Sequence, residues 1–195
     1  DILGVGAQGL GFLMGATAGR TTLNGEGLQH QDGHSHLYAS VVPSCISYDP
    51  AFAYEVATII QNGLHRMYEK NEDIFYYLTV YNENYLMPAM PEGVEEGILK
   101  GLYLYRKPSK KKKHRARILG SGSIMLQALR AQEILEEKFD VSAEVWSATS
   151  YTELQREAMQ CDRWNRLHPG LEPRIPYVTE ILKGWKGPTL AVSDY

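Results

Sequence analysis

Apolar positions recur at three- and four-residue spacing in the first half of the chain, where Phe52, Val56, Ile59, Ile60, Gly63 and Met67 trace one stripe. The stripe predicts a helix running from the Asp49-Pro50 pair to about Lys70. Asp49 suits the N-cap, accepting a bond from an orphan N–H, and Pro50 suits the first helical position, where a missing N–H costs no intrahelical bond. Glu55, Gln61 and Arg66 are assigned to water or to a partner surface. Upstream, residues 41–48 form a short apolar run with Pro43 at its start. Downstream, residues 74–81 are almost continuously apolar or aromatic, as expected of a strand covered on both faces. Strand, helix, strand in that order predicts a right-handed crossover unit of a parallel sheet.

The same pattern restarts after residue 113. Arg117-Ile118-Leu119 reads as a strand, Gly120-Ser121-Gly122-Ser123 as a turn, and 124–139 as a helix offering Ile124, Leu126, Leu129, Ile134, Leu135 and Phe139 for burial. A strand at 141–148, a polar helix at 152–161, a helix at 176–182 and a strand at 189–192 follow. Between the two units, Met87-Pro88-Ala89-Met90-Pro91-Glu92-Gly93 can continue neither a helix nor a central strand, and Lys110 to Lys113 form a hydrated charge run. We therefore expect an α/β protein of two units, 1–107 and 114–195, with a short helix and an extended arm over 94–105. Residues 1–19, rich in Gly and Ala around Leu10, Phe12, Leu13 and Met14, suit a buried strand with tight turns.

Composition narrows the class without changing this outline. With 195 residues, 44% hydrophobic and 22% charged residues and a net charge of −3, the chain has an ordinary globular balance, which disfavours disorder and nucleic-acid binding. Cys45 and Cys161 are far apart, so neither a disulfide framework nor a zinc ribbon is indicated and a reducing cytoplasm fits. No apolar run reaches the roughly 18 residues a bilayer span needs, so no membrane role is expected. The chain opens on Asp1, not Met, and we expect a piece of a longer or processed product.

The densest chemistry lies in Gly27-Leu28-Gln29-His30-Gln31-Asp32-Gly33-His34-Ser35-His36, read as a glycine-broken loop. Three imidazoles beside a carboxylate are suited to moving protons or to holding a metal. Three readings stay open: a metal site, a hydrogen-bonded surface loop, and a metal-free acid/base or substrate loop. Gly120-Ser121-Gly122-Ser123 can hold a phosphate at a helix start, but it lacks the full dinucleotide and Walker patterns and reads more simply as a tight turn with capping serines. Glu83, in Tyr81-Asn82-Glu83-Asn84-Tyr85, sits where open α/β sheets bind ligands, and the same segment suits a subunit contact. His168 and Cys161 have no partner visible in the sequence.

The run Thr17-Ala18-Gly19-Arg20-Thr21-Thr22-Leu23-Asn24-Gly25-Glu26, continued through the histidine segment to His36, resembles the homodimeric bacterial pyruvate dehydrogenases, the thiamine-dependent decarboxylating components of that complex. So do Cys45-Ile46-Ser47-Tyr48-Asp49-Pro50, Asn82-Glu83-Asn84-Tyr85 with residues 87–93, and 119–124. The resemblance implies a transketolase-like α/β fold, with the later part of a pyrimidine-binding domain followed by the earlier part of a C-terminal domain. It implies catalytic roles for His30, near the reacting carbon of the cofactor, and for His36, alongside it as donor. Asp32 and His34 would contact substrate. The implied cofactors are thiamine diphosphate and Mg2+, and the implied partners are a second subunit, pyruvate and a lipoyl-bearing acetyltransferase. The chain contains no Gly-Asp-Gly followed by Asn to hold the diphosphate magnesium, so we expect those ligands elsewhere and the isolated chain to be inactive. Two other readings are a catalytically silent assembly module and a metal-dependent enzyme built on His30, His34 and His36.

Overall fold

The computed structural model describes residues 9–15, 19–23 and 27–195. Two sheets carry it. In the first, β1 (Phe12–Gly15), β2 (Cys45–Tyr48) and β3 (Phe75–Thr79) are all parallel in the order β1-β3-β2. In the second, β4 (Tyr103–Arg106), β5 (His114–Gly120), β6 (Val141–Ser147) and β7 (Thr189–Val192) run in the order β4-β6-β5-β7, with β4 antiparallel to the rest. Helices α1 (Ser35–Ser40), α2 (Ala53–Leu64), α3 (Glu95–Lys100), α4 (Ile124–Lys138), α5 (Tyr151–Leu167) and α6 (Tyr177–Ile181) complete it.

The expected strand-helix-strand unit is β2-α2-β3, and β3 lies at the sheet centre with Tyr76, Leu78 and Thr79 buried. The N-terminal strand differs from expectation: β1 is an edge strand whose Leu13 and Met14 are exposed, because only β3 covers it. Residues 1–8 and 16–18 of that expected strand region lie outside the described residues. The extended arm at 101–106 supplies β4, which pairs with β6, so the second sheet draws on residues before the lysine run. In α4 the buried face is Met125, Ala128 and Gln132, whereas Phe139 is exposed, since the helix ends before that residue can turn inward.

The start of α2 also departs from expectation. Asp49 and Pro50 lie before the helix, and its N-terminus is satisfied by Glu55, whose Oε2 accepts the backbone N–H groups of Ala51 at 2.6 Å and Phe52 at 3.1 Å. Glu55 is not at the surface but wholly buried, and its Oε1 accepts hydroxyl protons from Tyr103 at 2.7 Å and Ser147 at 2.6 Å, both from the second sheet. Burial pushes its carboxyl up, against the pull of these four donors.

The two sheets are joined through this polar seam. Ser150 Oγ donates to the Ser47 carbonyl at 2.6 Å, and Asp49 N donates to the Thr149 carbonyl at 2.7 Å. Ala51 and Phe52 insert among Ile118, Met125, Ala128 and Val145 of the second unit, so apolar burial is shared across the seam.

Candidate active site

The segment 27–36 is only partly a loop. Leu28–His30 makes one 3-10 turn, and α1 begins at Ser35, so His36 is already helical. Asp32 starts that helix: its Oδ1 accepts the backbone N–H groups of His34 at 3.0 Å and Ser35 at 3.1 Å, where the positive end of the helix favours a carboxylate. Burial alone would raise Asp32, but its hydrogen bonds from Ser35 and His34 prevail and hold it below the ordinary carboxylate range. Asp32 N donates to the Gly19 carbonyl just past β1, and His36 Nε2 lies 3.1 Å from the hydroxyl of Thr79, the last residue of β3. The segment therefore sits beyond the carboxyl ends of two parallel strands, the place where open α/β sheets bind ligands.

The four sequence-selected residues separate into two pairs. His30 and His34 are exposed on the rim, while Asp32 and His36 are partly buried and hold the segment down. His36 packs edge-on against Tyr195 and Tyr77, with ring centroids 4.7 and 5.5 Å away. Its burial lowers its pKa, opposed by the charges of Asp49 and Asp32, so the neutral imidazole is favoured.

Asp49, expected only as a helix cap, is the hub beneath. Its Oδ1 accepts from Thr79 Oγ1 at 2.6 Å and from the Tyr81 hydroxyl, and its Oδ2 accepts from Ser121 Oγ at 2.7 Å. The Tyr81 phenol is raised by burial and by the Asp49 charge, so it stays a donor. Gly122 N donates to the Asp49 carbonyl at 3.1 Å. Gly122 has φ +49, and a Cβ there would run into the Tyr81 hydroxyl and Asp49 Oδ1, which is why this turn needs glycine. The glycine-serine turn thus docks on Asp49, and its serines do not cap α4, since Ser123 makes no side-chain cap bond. A cavity of about 180 Å³ lies here, lined by His36, Asp49, Ser121, Ser150 and Tyr195 among others.

Glu83 is exposed beside an apolar hollow of about 280 Å³ that includes Phe52, Val56 and Tyr85. His168 stacks on Trp164 and bonds its carbonyl, and Cys161 lies 3.2 Å from Glu157 Oε1. Among the described residues no group of three or more His, Cys, Asp or Glu side chains is placed to hold a metal ion, and none of the helices is long and apolar enough to cross a membrane. The site's carboxylates are already engaged, Asp32 by backbone N–H groups and Asp49 by hydroxyls, so these residues do not by themselves fit a diphosphate with its magnesium.

The two-sheet arrangement is a transketolase-like α/β fold. The structure superposes on a transketolase from Campylobacter jejuni with a TM-score of 0.64 at 18% identity, covering 93% of this chain and 24% of that one. A transketolase mutant from Pichia stipitis gives 0.61 at 17% identity, covering 93% and 23%. Residues 101–195 match the transketolase-like C-terminal domain family, and residues 4–88 match the pyruvate dehydrogenase E1 component middle domain family. The chain is 55% identical over 185 residues to the pyruvate dehydrogenase E1 component of Pseudomonas aeruginosa, covering 95% of this chain and 21% of that protein. It is 53% identical over 189 residues to that of Escherichia coli, covering 96% and 21%. The chain thus matches bacterial pyruvate dehydrogenase E1 components at 53–55% identity over nearly its whole length, and it spans about a fifth of the length of these relatives.

Proposed function

We propose that this chain forms part of the site at which a pyruvate dehydrogenase E1 component decarboxylates pyruvate and passes the two-carbon unit to a lipoyl group of its acetyltransferase partner. The observation that carries the reading is the placement of residues 30–36, pinned beyond the carboxyl ends of β1 and β3 with His30 and His34 turned outward. Thiamine diphosphate with Mg2+, when bound in such an enzyme, supplies the electron sink for cleaving the bond between the carboxylate and the carbonyl carbon. The ligands for diphosphate and magnesium lie, on this proposal, in other parts of the enzyme. The residues of this chain contribute orientation and charge. His30 offers an N–H to the substrate carboxylate or to the carbonyl oxygen as charge develops there, His34 and Asp32 shape the rim, and His36 stands behind it. A second subunit completing the pocket and a cytoplasmic setting belong to the same proposal.

Replacing His30 by Ala in the complete enzyme tests the reading. A positioned acid, base or charge-stabilising group is worth about 10² to 10⁴ in rate. Turnover should fall by that order with the cofactor bound normally. If His30 acts only in the transition state, kcat and kcat/KM fall together, whereas uniform binding of the substrate carboxylate raises KM instead. Wild-type kinetics would remove His30 from the chemistry, and wild-type kinetics with weakened subunit association would favour the assembly-module reading. Calorimetric titration of the 195-residue chain alone should give no magnesium-dependent binding of thiamine diphosphate at micromolar concentrations.

A further inference from the structure

We propose that Asp49 is a positioning residue for His36, acting through the Thr79 hydroxyl, and that this chain of groups fixes the imidazole as its Nε2–H tautomer with Nδ1 as the free lone pair. Three hydroxyls, from Thr79, Tyr81 and Ser121, converge on the two oxygens of Asp49, which is buried at 6% exposure. An ionised carboxylate only accepts, so each of the three spends its single proton on Asp49. Thr79 Oγ1, 2.6 Å from Asp49 Oδ1 and 3.1 Å from His36 Nε2, then has only a lone pair left for the ring. The Tyr48 carbonyl, 3.3 Å from Thr79 Oγ1, competes for the same proton, which leaves the conclusion intact because that proton still points away from His36. The opposite arrangement, with Thr79 donating to a bare Nε2, would set lone pair against lone pair across the 2.6 Å gap to Asp49. The ring N–H therefore belongs on Nε2. The burial that favours the neutral ring agrees with this. On the reading that residues 30–36 serve the substrate, which this inference rests on for its functional meaning, His36 brings an acceptor at Nδ1 and not the donor that family likeness gives it.

The test is two-bond ¹⁵N–¹H correlation spectroscopy of the histidine-labelled full chain above the pH of imidazole protonation, with His36 assigned by its loss in His36→Gln. The wild type should show His36 protonated at Nε2 with an exchange-protected Hε2 resonance. Thr79→Val, nearly isosteric, should lose that protected proton, and Thr79→Ser, which restores the hydroxyl, should keep it. Protonation at Nδ1 in the wild type, or a protected proton unchanged in Thr79→Val, overturns the proposal, and the first of these needs no variant to fold. In the complete enzyme, Thr79→Val should lower kcat/KM by up to about a hundredfold, with rescue by Thr79→Ser. If the resonances behave as expected while turnover is untouched, the tautomer assignment stands and the substrate role of residues 30–36 falls.

Discussion

Glu55 offers the sharpest test of how the two units are held together. Its carboxylate is fully buried, with backbone donors from Ala51 and Phe52 on Oε2 and hydroxyl donors from Tyr103 and Ser147 on Oε1. In Glu55→Ala the hydroxyls can turn elsewhere: Tyr103 already has the Tyr54 hydroxyl 2.5 Å away. The two N–H groups cannot turn. Each buried donor left without an acceptor costs about 1–3 kcal/mol, and the lost methylenes and residual void add about 1 kcal/mol. We expect a loss of about 4 kcal/mol. With a urea m-value of about 2–3 kcal/mol/M, the unfolding midpoint should fall by about 1.3–2 M. Because Trp146, Trp164 and Trp185 are the chain's only tryptophans and all lie in the second unit, fluorescence reports that unit while circular dichroism reports both. The transitions should separate in Glu55→Ala if Glu55 couples the units.

Glu55→Gln supplies the control. Its carbonyl can keep the Ala51 and Phe52 N–H groups, and its NH₂ faces two hydroxyls able to accept, so the cost at neutral pH should stay near 1 kcal/mol or below. The pH dependence has a definite sign. A carboxyl raised in the folded state contributes stability that is present in acid, below the ordinary value of 4.5, and is lost as pH rises through the raised value. Glutamine cannot titrate, so its penalty relative to wild type should be largest in acid and shrink toward neutrality. A Glu55→Ala loss under about 1 kcal/mol, or a Gln variant as damaged as the Ala variant at neutral pH, would refute the coupling role.

Two further outcomes are expected. Gly122→Ala must adopt φ +49 and push a Cβ against Tyr81 and Asp49, so it should cost about 1–3 kcal/mol and lower Tm by several degrees in a calorimetric scan. Asp32→Ala should cost about 1 kcal/mol in urea titrations at neutral pH, because the His34 and Ser35 N–H groups lose their acceptor. Since Asp32 is depressed on folding, that difference should be present above 3.8 and vanish as pH falls through the lower folded value.

The misplacement of Glu55 and of Asp49 shares one physical cause, and it marks where sequence reasoning stops. The alternation of strands and helices was legible because period and turn residues are local: β2, α2, β3, α4, β6 and β7 fall within a few residues of the periodic segments. The seam between the sheets is not local, since its bonds join residues 48 to 105 positions apart, as in Glu55 to Tyr103 and Ser47 to Thr152. Charged residues default to the surface, and that default assigned Glu55 to water. Yet Glu55 continues the four-residue stripe of Ile59, Gly63 and Met67 by one step, so the period that located the buried face had already placed the carboxylate upon it. A charge on that face must find donors, and the nearest were the free N–H groups at the start of its own helix. Asp49 follows the same logic one turn earlier: with the helix N-terminus satisfied by Glu55, its carboxylate is released from capping to collect the three hydroxyls that lie behind His36.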